Sequence, residues 1–118
     1  MAIRKPRGTQ DFLPEQMRNW HFIEGAMRKL TKAYGFEEIR TPIFEDTGLF
    51  LRGIGETTDV VQKEMYTFST GDKKESSFTL RPENTASAVR AYLENKVYGK
   101  EGVTKWFYMG PMFRHDKP

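Results

Sequence analysis

Between Pro14 and Tyr34 the apolar residues Met17, Trp20, Ile23, Met27, Leu30 and Tyr34 recur at intervals of three and four. A strand cannot keep that spacing. The stretch is predicted to be an amphipathic helix of about five turns. Pro14 suits a first helical turn, Glu15 meets the positive end of the helix dipole, and Gly35 ends the helix. The stripe reads Trp20 and Met27 as core residues, not as a cofactor box.

The rest of the chain is cut into shorter pieces. Arg4 to Leu13 is a turn-rich lead-in punctuated by Pro6 and Gly8, and Phe36 to Thr41 is a short strand that Pro42 keeps extended. Residues 43–64 are mixed, with Gly48, Gly53 and Gly55 against any long element, and Thr57 or Thr58 capping a short helix through Val60 and Val61. Met65–Phe68 and Ser77–Arg81 form an antiparallel hairpin across a turn with Gly71 and Asp72. A second helix follows Pro82 and closes at Gly99 and Gly102, and Lys105–Phe113 is a last strand region interrupted by Gly110-Pro111. The paired acids Glu37-Glu38 and Glu45-Asp46 read as solvated faces. This order lacks regular β-α-β alternation, so an antiparallel or mixed sheet is favoured over a doubly wound parallel one. The fold class is α+β.

Composition then removes whole classes of function. With no Cys there is no disulfide, thiolate metal site or thiol nucleophile, and two His (His21 and His115) exclude a His-rich zinc site. No apolar run reaches the ~18–20 residues of a membrane helix, and the basic N-terminus lacks the apolar stretch of a secretory signal. A cytoplasmic protein is expected. The net charge of +3 is carried by Arg4, Lys5 and Arg7 in the first ten residues, because residues 11–118 hold 16 basic and 16 acidic groups. That is a basic N-terminal strand and not a chain-wide footprint for nucleic acid.

Two clusters could carry chemistry. In Thr79-Leu80-Arg81-Pro82-Glu83-Asn84-Thr85-Ala86 a strand stops and a helix starts, so Glu83 can face a cleft and accept from a ligand ammonium, with Thr85 adding a hydroxyl. Equally, Asn84 or Thr85 can cap the helix while Glu83 complements its dipole. In Gly110-Pro111-Met112-Phe113-Arg114-His115-Asp116, Arg114 ends an apolar strand. Its fork suits a phosphate, or else it is a surface Arg paired with Glu83 or Asp116. His115 could serve as a general base, or, with no obvious orienting acid, be only a polar contact. No Gly-rich loop ends in Lys-Ser or Lys-Thr, so a P-loop is unsupported.

In combination these blocks resemble the N-terminal part of the histidyl-tRNA synthetases, class II aminoacyl-tRNA synthetases. The resemblance runs through Pro6–Asp11, Leu13-Pro14, Glu38–Glu45 (similar to motif 1), Leu49-Phe50, Arg52, Gly55-Glu56, Thr58–Val61, Lys63–Phe68, Thr79–Ala86 and Gly110–His115 (similar to the start of motif 2). It implies a mainly antiparallel sheet flanked by helices, a homodimer built through motif 1, and a two-step reaction. Histidine and ATP, with Mg2+ accompanying the ATP, give histidyl-adenylate and pyrophosphate, and the histidyl group then passes to tRNA(His). By the same resemblance Arg114 grips the α-phosphate, Asp116 stands where adenine is read, Glu83 takes the histidine ammonium, and Thr85 contacts histidine.

The chain departs from the family pattern at Asn84, where Gly is usual, and at Asp116, where Glu is usual. Asn tolerates left-handed backbone angles, which would preserve the turn. The resemblance makes residues 1–118 a catalytic-domain fragment from motif 1 to the start of motif 2. Motif 3 and the anticodon-binding domain lie outside it, and the fragment alone is expected not to aminoacylate. Two rival readings are a regulatory subunit of ATP phosphoribosyltransferase, a paralogue of the same fold, and a small RNA-binding module using the basic N-terminus.

Overall fold

The computed structural model describes residues 2–54, 64–72, 76–100 and 102–115. Helix α1 spans Pro14–Ala33, as its apolar spacing and Pro14 require. Its start is tied by the Leu13 N–H, which donates to the Gln16 side-chain carbonyl at 3.0 Å. Gly35, at φ +80°, ends it: Phe36 N–H reaches back to Thr31 O at 2.8 Å and Gly35 N–H to Lys32 O at 3.1 Å, the double closure that a left-handed glycine permits.

Strand β1 (Glu37–Glu38) is shorter than the expected 36–41 and pairs in parallel with β5 (Trp106–Phe107). Of the strand expected over 105–113 only those two residues pair, because Gly110-Pro111 redirects the chain. Arg28 clamps α1 to β1 through two bonds to Glu38, at 2.9 and 3.0 Å. This hydrogen bonding holds the Glu38 carboxyl below its ordinary range.

A second sheet has the order β2-β4-β3, all antiparallel, with β2 at Phe44–Asp46, β3 at Thr67–Ser69 and β4 at Ser77–Leu80. The hairpin read from alternation is therefore present, and Gly71 turns it at φ +71°. Helix α2 (Thr47–Ile54) forms in the region expected to be broken by glycines. Asp46 accepts the Gly48 N–H at 2.9 Å, and burial of Phe50, with no exposed surface, outweighs the glycine penalty. Helix α3 (Thr85–Glu94) follows, then a 3₁₀ turn at Val97–Gly99. The expected helix through Val60 and Val61 lies outside the described residues.

Period-2 geometry splits the sheet into unlike faces. Phe44, Phe68 and Phe78 pack edge-on or tilted on one face, with centroids 5.6–5.9 Å apart. The other carries Glu45, Thr67, Ser77 and Thr79. Thr79 donates to Thr47 at 2.9 Å, so its one proton is spent and Thr67 donates to Thr79 at 2.9 Å, while Thr47 and Ser77 share a further bond of 2.7 Å. Glu45, expected on a solvated face, is instead buried and takes Arg90 Nε at 2.6 Å. That bond holds the Arg90 guanidinium above its ordinary pKa. Arg90 also pairs with Glu94 one turn on.

The expectation for α1 fails in the opposite sense. The helix buries none of its residues, and Trp20 and Met27 are 43% and 52% exposed. A radius of gyration of 17.4 Å, against about 13–14 Å for a closed domain of this length, agrees with that open packing.

Candidate functional site

Strand β4 ends at Leu80 and α3 starts at Thr85, so residues 81–84 turn the chain between sheet and helix. Pro82 is fully buried there. Glu83 folds back on the helix start, its carboxylate accepting the Thr85 N–H at 2.5 Å and the Ala86 N–H at 3.2 Å. These are two of the donors that a helix start leaves unsatisfied, so Glu83 caps α3. A carboxylate offers about four lone-pair positions, which leaves capacity for a ligand cation as well. The Thr85 hydroxyl is 3.0 Å from that of Tyr108.

Asn84 neither caps the helix with its side chain nor adopts a left-handed angle. Its φ is −118° and ψ −5°. Its Oδ1 instead accepts from the Thr41 hydroxyl at 3.0 Å and from Arg81 Nη1 at 3.1 Å. The Asn84 amide nitrogen is buried with no partner among the described residues.

Arg81 is the residue that sequence reasoning missed. It is 6% exposed, and a cation that deep ordinarily needs a carboxylate. Among the described residues it has carbonyl oxygens instead: Nε donates to Pro111 O at 3.0 Å and Nη1 to Thr41 O at 3.3 Å. Its backbone N–H donates to Ile43 O, and its carbonyl accepts the Phe113 N–H, both at 2.9 Å. One residue thereby ties the 41–43, 81–84 and 110–113 segments together. A Cβ at Gly110 would lie 2.6 Å from Arg81 Nη2, so the guanidinium requires glycine there. Only the Gly-Pro pair in the sequence hints at this.

Arg114 follows directly from that tie. Its Nε donates to Pro82 O at 3.0 Å, and among the described residues no carboxylate lies within ion-pair distance of it. Glu83 is thus not its partner, and Asp116 lies outside the described residues. The His115 N–H donates to Glu64 O at 2.6 Å, and its ring meets Tyr66 edge-on at 5.5 Å. Among the described residues no carboxylate orients that ring.

The candidate residues are joined through the backbone of Pro82 and line two neighbouring cavities. Glu83 and Thr85, with Leu49, Arg52, Val89 and Arg90, border one of about 780 Å³. Arg114 and His115, with Arg7, Thr9 and Tyr66, border another of about 710 Å³. Such an arrangement can hold a cationic group beside Glu83 and an anionic one beside Arg114.

A family model described as histidyl-tRNA synthetase matches residues 8–118. The chain belongs to the histidyl-tRNA synthetase family. Over 118 residues, all of this chain and 27% of the relative, it is 57% identical to the histidine–tRNA ligase of Pelotomaculum thermopropionicum. It matches the apo histidyl-tRNA synthetase of S. aureus with a TM-score of 0.80 at 47% identity, over 97% of this chain and 30% of that one. A Bacillus halodurans structure described as an ATP phosphoribosyltransferase regulatory subunit/histidyl-tRNA synthetase shares the fold, with a TM-score of 0.75 at 21% identity over 97% and 28% of the two chains. The chain spans a little over a quarter of the length of the curated relatives it matches. The α+β fold with its mainly antiparallel sheet and flanking helices is that of the family's catalytic region. No described helix is long and apolar enough to cross a membrane.

Proposed function

We propose that residues 1–118 form the N-terminal part of the catalytic domain of a cytoplasmic histidine–tRNA ligase, from motif 1 to the start of motif 2. In the first step a histidine carboxylate oxygen attacks the α-phosphorus of Mg-ATP, and pyrophosphate leaves with the electrons of the broken P–O bond. The histidyl group of the adenylate then passes to tRNA(His). Magnesium enters with the nucleotide as part of the substrate.

The observation that carries this reading is Arg114 fixed by its Nε to Pro82 O, one residue before Glu83, in a chain of this family. With Nε committed to the backbone, the Nη groups are left to grip a phosphate, where charge grows as the α-phosphorus is attacked. Glu83, seated on the helix start, receives the histidine ammonium, and Thr85 adds a hydroxyl held by Tyr108. Catalysis then rests on placement and charge, with no covalent enzyme intermediate. By the family pattern Asp116 would read the adenine. By the same reading the protein pairs with a second copy of itself through motif 1.

The regulatory-subunit reading has the shared fold alone in its favour, whereas whole-chain matches at 55–58% identity bear the name histidine–tRNA ligase. Calorimetric titration of the chain with Mg-ATP tests the proposal. Arg114→Ala should weaken binding by roughly 10- to 100-fold, the worth of a lost charge-assisted pair. Equal affinities would refute the role. Histidine-dependent pyrophosphate exchange by these 118 residues alone would refute the expectation that they are inactive by themselves.

A further inference from the structure

The N-terminal segment comes back to the Arg114 cavity as a preformed turn. The Pro6 carbonyl accepts both the Thr9 N–H, at 3.2 Å, and the Thr9 hydroxyl, at 2.6 Å. Gly8, at φ +86°, occupies the third turn position, which demands a positive φ in a type II turn. Arg7 stands beside it, and residues 6–9 form one wall of the cavity of about 710 Å³ whose other wall carries Arg114, His115 and Tyr66. Among the described residues no carboxylate lines this space, and neither Arg7 nor Arg114 has an ion-pair partner. The volume lies within the ~300–1,000 Å³ range of small-molecule sites.

We propose that Arg7 is a second phosphate-binding cation, which takes the outer phosphates of a nucleoside triphosphate whose α-phosphate is held by Arg114. The inference rests on the reading of Arg114 as the nucleotide arginine and adds to it a substrate-binding role for the N-terminal turn. Two guanidiniums lining one cavity with no carboxylate among its described residues suit a chain of linked phosphates better than a single anion, because each fork can serve a different phosphate. The excess charge near the N-terminus then has a local destination at Arg7, whereas Arg4 and Lys5 do not line the cavity.

The experiment titrates the full 118-residue chain with Mg-ATP, inorganic tripolyphosphate and a short single-stranded RNA. The proteins are wild type, Arg7→Ala, Arg7→Lys, Arg114→Ala and an Arg4→Ala/Lys5→Ala control that removes more charge outside the cavity. Arg7 is exposed in a terminal segment, so its variants should fold as wild type does, with unchanged far-UV circular dichroism as the check. Arg7→Ala is expected to weaken both phosphate ligands by roughly 10-fold or more, with partial recovery in Arg7→Lys and a change within about twofold in the control. An Arg7→Ala effect no larger than the control's overturns the inference. If Arg114→Ala alone loses ATP, the nucleotide reading stands and this inference falls. Arg7-dependent tripolyphosphate binding, with ATP bound no more tightly, supports the cavity and overturns the nucleotide reading. Arg7-dependent RNA binding without ATP binding overturns the inference, as does a wild-type chain that binds none of the three ligands.

Discussion

Replacing Gly110 with Ala places a methyl group 2.6 Å from Arg81 Nη2, where ordinary contact begins near 3.4 Å, so something must retreat by about 0.8 Å. The end of a long side chain usually moves cheaply. This one is buried and pinned by bonds to Pro111 O, Thr41 O and Asn84 Oδ1, so moving it stretches all three. Overpacking of this kind costs about 1–3 kcal/mol, offset by ~0.4–1 kcal/mol from the lower entropy of the unfolded chain. A net loss of about 1–2 kcal/mol is expected. In an Arg81→Met background the obstacle is gone, and Gly110→Ala should be neutral or slightly stabilising. The two substitutions are therefore coupled by about 2 kcal/mol. Urea unfolding of the four proteins, followed by Trp fluorescence, measures it; Trp106 lies on β5, four residues before Gly110. Amide exchange at Phe113, whose N–H binds Arg81 O, should quicken in Gly110→Ala. Costs that add to within ~0.5 kcal/mol would refute the Arg81 clasp.

Two further outcomes follow from the ion pairs. Glu38 titrates below its ordinary range because Arg28 donates two hydrogen bonds to it, so its stabilising contribution is whole above the unfolded carboxyl value of about 4.3 and is lost as pH falls through the lower folded value. The stability gap between wild type and Arg28→Ala should close on acidification, and a gap constant from pH 6 to pH 2.5 would contradict the bond. Glu45→Ala strands the half-buried Arg90 with only its outer partner Glu94. It should cost about 2–4 kcal/mol by urea midpoint, and a loss below ~0.5 kcal/mol would show that the pair is not structural.

What the sequence disclosed were features whose causes are local. Pro14 and Gly35 bound α1 because a helix start and a left-handed stop are decided within a few residues. The hairpin followed from alternation around Gly71. Glu45 was misread because its partner Arg90 lies 45 positions away. Helix α2 was missed because Gly48 and Gly53 were weighed as breakers without the burial of Phe50 that overrides them. Asn84 was weighed as a cap or a left-handed residue, but Arg81 and Thr41 claim its oxygen, and Glu83 does the capping. A strand-to-helix turn pointed to Glu83 and Thr85, and the end of an apolar strand to Arg114, yet nothing in their spacing assigns them to two cavity linings. The stripe of α1 was read correctly as apolar, but whether a partner covers it is not a property of the helix.

The hydroxyl chain across β4 bears on how strand pairing is proofread during folding. A slip by one residue would turn Thr79 and Glu45 to the aromatic face and is penalised by burial alone. A slip by two residues keeps every side chain on its own face, so alternation cannot reject it. The hydroxyls reject part of it: Thr47, which follows β2, bonds both Ser77 and Thr79 in the native register, and a two-residue slip of β2 takes it away from one of them. At about 0.5–1.5 kcal/mol for the bond lost, this sets a gap of about 1 kcal/mol against an alternative that hydrophobic patterning permits. Apolar side chains in their place would bury as well and discriminate less.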